Sequence, residues 1–259
     1  MAKVAISTGK MSSPDKPKVP PFIFLMGDTG SGKTFSLGQM SNYGEVILLD
    51  IDQNAGGITT RKDVNLDNIE HVTIGGRAGT EQGVGEALDA YLIALTKDIK
   101  SGDRPTPGLV ALDSITTLAV SIMHDVLAKG NRTNTPAQLQ DYGIQQQHLL
   151  RFALMIGSIP VRFGSVIIGH TLYEKDEASG RMIQSIAGLG QALPPKLLRF
   201  FSEIYFADTE VNKAGNTFIW RTQRTTRYNV RTQLGLADPI PQDFTIPFAA
   251  YYGDGWEKR

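Results

Sequence analysis

Eight consecutive residues, Gly27-Asp28-Thr29-Gly30-Ser31-Gly32-Lys33-Thr34, set glycines, a lysine and a threonine in the order Gly-x4-Gly-Lys-Thr. Glycine lets a backbone wrap closely enough for its N–H groups to point inward at phosphate oxygens. In such a loop Lys33 reaches the β- and γ-phosphates, and the Thr34 hydroxyl joins a Mg²⁺ shell. The partial positive charge of a following helix N-terminus adds to the attraction. The expected ligand is a nucleoside triphosphate, ATP with Mg²⁺, held by Gly27, Asp28, Thr29, Gly30, Ser31, Gly32, Lys33, Thr34 and Phe35. No Asn/Thr-Lys-x-Asp base-reading motif occurs, which mildly disfavours GTP.

Phosphate chemistry also needs a carboxylate at the end of a neighbouring strand to hold the metal's water shell. Leu109-Val110-Ala111-Leu112-Asp113 supplies one after four apolar residues, although Asp113-Ser114 is also a plausible helix N-cap. Ser114 follows that aspartate where many phosphate-loop ATPases carry a water-activating glutamate, so a base must come from elsewhere. Leu48-Leu49-Asp50-Ile51-Asp52 offers two alternate acids, which an extended chain sends to the same side. Asp52 is the candidate for positioning the attacking water; Asp50 is equally readable as structural. His170 ends the run Val166-Ile167-Ile168-Gly169 and is a candidate γ-phosphate sensor. The other histidines show no ligand spacing with it, and there is no cysteine for a thiolate site.

These residues need a scaffold. Phe22-Ile23-Phe24-Leu25-Met26 reads as a buried strand entering the loop, and Phe35, Leu37 and Met40 lead into a helix over about 33–41. Further strands are predicted at 45–50, 72–74, 109–113 and 165–170. Helices are predicted at about 80–100, from 114 to 129, and at 137–157 with Thr135-Pro136 as N-cap and N1. A long polar loop is expected at 173–190. Ile204–Ala207 and Thr217–Trp220 flank Asn212-Lys213-Ala214-Gly215-Asn216, a hairpin signal. Alternating strands and helices imply an α/β fold: a mainly parallel twisted sheet, helices on both faces and an antiparallel hairpin at the C-terminal edge. Residues 1–20, rich in Ser and Pro, read as a flexible N-terminal arm, 21–240 as the core, and 241–259 as a tail. Phe244, Phe248, Tyr251, Tyr252 and Trp256 of that tail are expected to pack on the core.

The strand–GDTGSGKT–helix unit, the LLDID turn, LVALDS and VIIGH together resemble RecA-type ATPases. More closely they are similar to compact phage nucleotide-binding (AAA-like) proteins, including short recombinase paralogues of single-strand annealing systems. The resemblance spans residues 21–235 and implies a RecA-like phosphate-loop core with ATPase activity. It places the catalytic acid at Asp52, one methylene shorter than the family's glutamate, so turnover is expected to be weak. It implies Lys33, Asp52, Asp113 and His170 as catalytic, Thr34 and Asp113 as the Mg²⁺ residues, and Arg227 or Arg231 as a basic residue acting on a neighbouring subunit's nucleotide. It also implies a homo-oligomer or filament, single-stranded DNA as partner, and a single-strand-binding protein as a further one. Two loops would meet the DNA: Gly130–Tyr142, with Lys129, Arg132 and Tyr142, and Tyr173–Gln191, with Lys175 and Arg181. Both are equally readable as plain surface loops.

Composition sets bounds on these readings. Across 259 residues, 26 Lys and Arg balance 26 Asp and Glu, so nucleic-acid contact would require positive charge gathered on one face. Lys213, Arg221, Arg224, Arg227 and Arg231 form one such stretch, which a solvated hairpin face explains as well. No apolar run approaches the ~20 residues a bilayer span requires. With no cysteine, the expected location is the cytoplasm, that of a host if the chain is phage-encoded. A small-molecule kinase and a nucleotide-dependent assembly component with little turnover are the alternative functions.

Overall fold

The computed structural model describes residues 19–75, 82–175, 182–190, 192–213, 215–225 and 229–258, apart from the side chains of 174, 175, 182 and 183. The chain begins with β1 (Phe22–Gly27), the phosphate loop and α1 (Lys33–Leu37), which continues as a 3₁₀ turn over Gly38–Asn42. Then come β2 (Val46–Asp50), β3 (Ile69–Thr73), α2 (Val84–Ser101) and β4 (Leu109–Asp113). Next are α3 (Ile115–Lys129), α4 (Leu139–Ser158), β5 (Gly164–Lys175), β6 (Met182–Ile186) and α5 (Leu193–Leu198). The chain closes with β7 (Glu203–Asn212), β8 (Gly215–Arg221), β9 (Ile240–Pro241) and α6 (Thr245–Tyr252).

The described residues form one nine-stranded sheet ordered β3-β2-β4-β5-β1-β7-β8-β9, with β6 paired to β5 alone. Pairings from β3 through β7 are parallel; β5–β6, β7–β8 and β8–β9 are antiparallel. The central strands read as unbroken apolar runs because both of their faces are covered. Phe24, Met26, Ile47, Leu49, Val110, Leu112 and Ile167 point to the side packed by α2, α3 and α4. Their neighbours Ile23, Leu25, Val46, Leu48, Ala111, Val166 and Ile168 point to the other side, against α1 and the tail. There Phe244, Phe248 and Trp256 are buried; Trp220 stacks on Tyr205 at 5.5 Å and meets Phe244 edge-on at 4.6 Å.

Element boundaries differ from the sequence reading at the end of α1, which is α-helical only to Leu37, and at three further places. The third strand runs over Ile69–Thr73 instead of 72–74, paired residue for residue with Val46–Asp50. Helix α4 starts at Leu139, not after Thr135-Pro136, because the Asp141 carboxylate turns back to accept from Gln138 N at 2.7 Å and pairs with Arg132. The polar stretch after His170 is not a loop throughout. β5 continues to Lys175 and pairs with β6, Thr171 opposite Ile186, as a two-stranded ribbon beyond the sheet. Ile186 at the base of the ribbon is buried in the core while Leu172, opposite Ser185, is exposed, so the stretch shows little of the apolar alternation that marks a strand.

Candidate phosphate and metal site

Parallel strands bring their carboxyl ends to one edge, and at this edge the candidate residues meet. Register fixes their heights: Gly27 lies level with His170 and with Ala207, and Asp50 with Asp113. β5 therefore stands between the strand that feeds the phosphate loop and the strand that ends at Asp113.

The loop leaves β1 at Gly27 and turns through Gly30 (φ 80°) and Gly32 (φ 83°), a backbone region that favours glycine. A side chain at Gly27 would lie 2.5 Å from the Ala207 carbonyl and 2.8 Å from the Ser31 hydroxyl, so the loop must start with none. The buried Lys33 ammonium folds into the loop, donating to the carbonyls of Gly27 at 2.9 Å and Asp28 at 2.8 Å. Burial lowers its pKa to about 8, while Asp113, Asp28 and Asp52 pull the other way. A cation held by two backbone carbonyls at the foot of such a loop is placed to meet phosphate oxygens.

The Thr34 hydroxyl donates to Asp113 Oδ2. Asp113 is 1 % exposed, and burial, reinforced by the nearby Asp52 and Asp50 carboxylates, raises its pKa to about 6 despite the Thr34 bond. Ser114 is the residue that caps α3, its hydroxyl accepting from Thr117 N, so the Asp113 carboxylate is free to face Thr34. The two oxygens together fit Mg²⁺: hard donors side by side, and a buried carboxylate whose ionised form needs a cation nearby. The remaining ligands would be phosphate oxygens and water, as is usual for that ion.

Asp52 lies next to this pair. Its Oδ1 accepts from Ser114 N at 3.1 Å and Ser114 Oγ at 2.9 Å, and its Oδ2 faces His170 Nε2 at 3.0 Å. Burial pushes the Asp52 carboxyl up, but hydrogen bonds from His170, Thr117 and Ser114 outweigh it and hold the pKa below the usual range. An ionised Asp52 can only accept, so His170 Nε2 is the donor in this contact. His170 Nδ1 is buried without a partner among the described residues. The His170 backbone is fixed in turn, its N–H donating to Thr116 Oγ1 at 3.0 Å. Asp50 is drawn away from this group. It accepts from Ala55 N at 3.1 Å and Asn54 N at 3.4 Å and faces His71 Nε2 at 2.8 Å, holding the turn after β2.

The site thus gathers Lys33, Thr34, Asp52, Asp113 and His170. It does not gather Lys129, Arg132 or Tyr142. Lys129 pairs with Glu86 at 2.9 Å and Arg132 with Asp141, so each cation already faces an acid. Lys129 and Glu86 rim a separate cavity of about 160 Å³ between α2, α3 and α4, floored by Ile122, Ile144 and Phe152. Tyr142 is exposed on α4. The Arg231 guanidinium donates to the carbonyls of Leu198 and Phe201, and its backbone bridges Ile204, three residues below Ala207 on β7. Arg221 pairs with Asp208 and Glu210. Arg227 and Arg181 lie outside the described residues, as do the Lys175 side chain and the arm to residue 18.

Sequence reasoning missed two contacts at the loop. Thr171 donates to Asp28 Oδ1, tying β5 to the phosphate loop one residue past His170. Gln242 reaches Ser31 from the far end of the chain. Thr171 directly follows the candidate His170, which is the signal that could have found it. Gln242 has no local signal.

No protein-family model and no curated protein sequence matches the chain. Among solved structures it is similar to a KaiC-like protein from the hyperthermophilic archaeon Pyrococcus horikoshii, at 10 % identity and a TM-score of 0.41, over 85 % of this chain and 88 % of that one. It is also similar to an ATPase from the type III secretion system of pathogenic bacteria, at 14 % identity and a TM-score of 0.49. There the match covers 73 % of this chain and 52 % of the other, so the chain spans about half that ATPase's length. At such identities neither neighbour lends this chain a substrate or a residue role. The site stands on its own geometry, and no helix among the described residues is long and apolar enough to cross a membrane.

Proposed function

We propose that the chain binds a Mg-nucleoside triphosphate, ATP, at the phosphate loop and hydrolyses it slowly. The contact between the Thr34 hydroxyl and the Asp113 carboxylate beside a loop-bound Lys33 ammonium carries this reading. Glycine-permitted backbone and Lys33 receive the β- and γ-phosphates; Thr34 and Asp113 hold Mg²⁺, which supplies charge neutralisation on the triphosphate. Asp52 orients the water that attacks the γ-phosphorus. His170, hydrogen-bonded to Asp52 at the end of β5's sheet-paired half, registers whether the γ-phosphate is present.

A specific observation favours slow turnover. Asp52 is a short side chain already engaged by Ser114 and His170, and its pKa is held low. Such a carboxylate positions water better than it removes a proton. A protein whose nucleotide chiefly stabilises an assembly is therefore the second reading. Single-stranded DNA as effector, in phage-type recombination, annealing or replication, is carried by the motif resemblance alone, as are self-assembly into an oligomer or filament and a single-strand-binding partner. The engaged state of Lys129 and Arg132 lends the DNA role no electrostatic support.

Calorimetry of Mg-ATP against the wild type and Lys33→Ala, followed by phosphate release with and without single-stranded DNA, tests the whole reading. Binding lost in Lys33→Ala, with measurable release in the wild type, supports it. A wild type that ignores Mg-ATP overturns it. Binding without release selects the assembly reading, and release indifferent to DNA removes the effector.

A further inference from the structure

Gln242 follows β9, 211 residues beyond Ser31 in sequence, yet its side-chain amide ends on the phosphate loop. Nε2 donates to Ser31 O at 2.7 Å and Ile219 O at 3.1 Å, with Asp208 O at 3.5 Å. All three partners are acceptors, so the amino end of the amide must face them. Oε1 is then turned toward Gly32: a Cβ built there would lie 2.7 Å from it and 3.1 Å from Phe218 Cδ1. Asp208 and Ile219 are opposite residues of the β7–β8 ladder, and the Gln242 N–H donates to Phe218 O at 3.4 Å. The residue is thus pinned by the sheet's C-terminal edge and reaches across to the loop.

Ser31 is the point where such a tether has leverage. Its own N–H and hydroxyl both donate to the Asp28 carbonyl, closing the turn that places Gly32 at the start of α1. We propose that Gln242 is a positioning residue for the phosphate loop. It fixes the Ser31–Gly32 segment in the curvature that receives a triphosphate, so that binding need not first order the loop. The inference rests on the functional reading above. A loop released from this bond spends only part of its time in the competent shape, and apparent affinity falls by that fraction.

The test is Gln242→Met, which keeps length and apolar bulk but cannot donate, alongside Gln242→Glu, which can only accept. Loss of the bonds is expected to weaken Mg-ATP binding by up to about tenfold, the scale of one ordinary hydrogen bond. Amide exchange at residues 31–34 of the nucleotide-free protein is expected to accelerate by a similar factor, and saturating Mg-ATP to restore protection. The melting temperature should stay within a few degrees. Unchanged affinity in both variants, with the wild type binding normally, overturns the proposal. So does a weakening that comes with a general loss of protection and a large drop in melting temperature, since that marks a merely structural residue. If the wild type binds no nucleotide, the functional reading falls, and the exchange measurement without nucleotide still decides whether Gln242 orders the loop.

Discussion

Replacing Asp113 by asparagine is expected to stabilise the nucleotide-free protein at neutral pH while abolishing its response to Mg-nucleotide. Asp113 has almost no exposure, and its pKa is about 6 in the fold against an ordinary 3.8. A carboxyl with a raised folded-state pKa binds protons more tightly when folded, so its contribution is most favourable below the unfolded value and is lost as pH rises through the folded one. Above pH 7 the ionised group costs the fold about 3 kcal/mol, and at pH 4 only about 0.5 kcal/mol. The substituted amide would still accept from Thr34 and would carry no charge into the interior. For a chain of this size the gain corresponds to a rise in melting temperature of roughly 6–12 °C at pH 7.5, shrinking to about 2 °C at pH 4. Thermal melts in chelator at both pH values, then with Mg-ATP, read this out. The wild type is expected to gain stability with Mg-ATP and the variant not. An Asp113→Asn protein that melts lower than wild type at pH 7.5, or whose advantage is equal at both pH values, would refute the electrostatic account of the site.

Other outcomes follow from the same geometry. Asp52→Asn is expected to lower turnover about 10²-fold, the cost of a misplaced nucleophile, with Mg-ATP affinity nearly unchanged, as steady-state and calorimetric measurements together would show. Lys33, with a pKa near 8, must be charged to hold phosphate, so Mg-ATP affinity is expected to fall as pH rises past 8. Between pH 8 and 9, binding should also draw protons from solution, visible as a buffer-dependent heat, because phosphate stabilises the ammonium. Arg231→Ala, which strips the Leu198 and Phe201 carbonyls of their donor, is expected to lower the melting temperature. Arg227→Ala, in the trans-acting reading, is expected to slow hydrolysis at unchanged ATP affinity; equal rates would exclude it.

What the sequence disclosed depended on burial. Leu109–Asp113 and Phe22–Gly27 were legible because strands covered on both faces must be apolar throughout, and because the first polar residue then marks the sheet edge. That logic also set His170 at the sheet edge, where the fold places it level with Gly27. It did not separate Asp50 from Asp52. The strand stops at Asp50, and the bend after it sends one carboxylate into the turn and the other to Ser114 and His170. The β5–β6 ribbon escaped because it joins the core through Ile186 at its base, and the residues around it alternate too little in polarity to mark two strands. Gln242 escaped for a different reason. Its partners are main-chain carbonyls, which any sequence presents, so only the folded path of the chain brings donor and acceptors together.

The twelve residues of β5 run as one strand from beneath the sheet to the far ribbon. No turn separates the half wedged between β1 and β4 from the half that overhangs the edge, and Thr171, just past the changeover, is fastened to Asp28. The overhang is therefore the continuation of one rod, held at its middle by Thr171 and, through its partner strand, by Asn229, whose N–H donates to Gln184 Oε1 at 3.2 Å. A shift at residue 28 would therefore pass along β5 as far as Lys175 with no turn to absorb it.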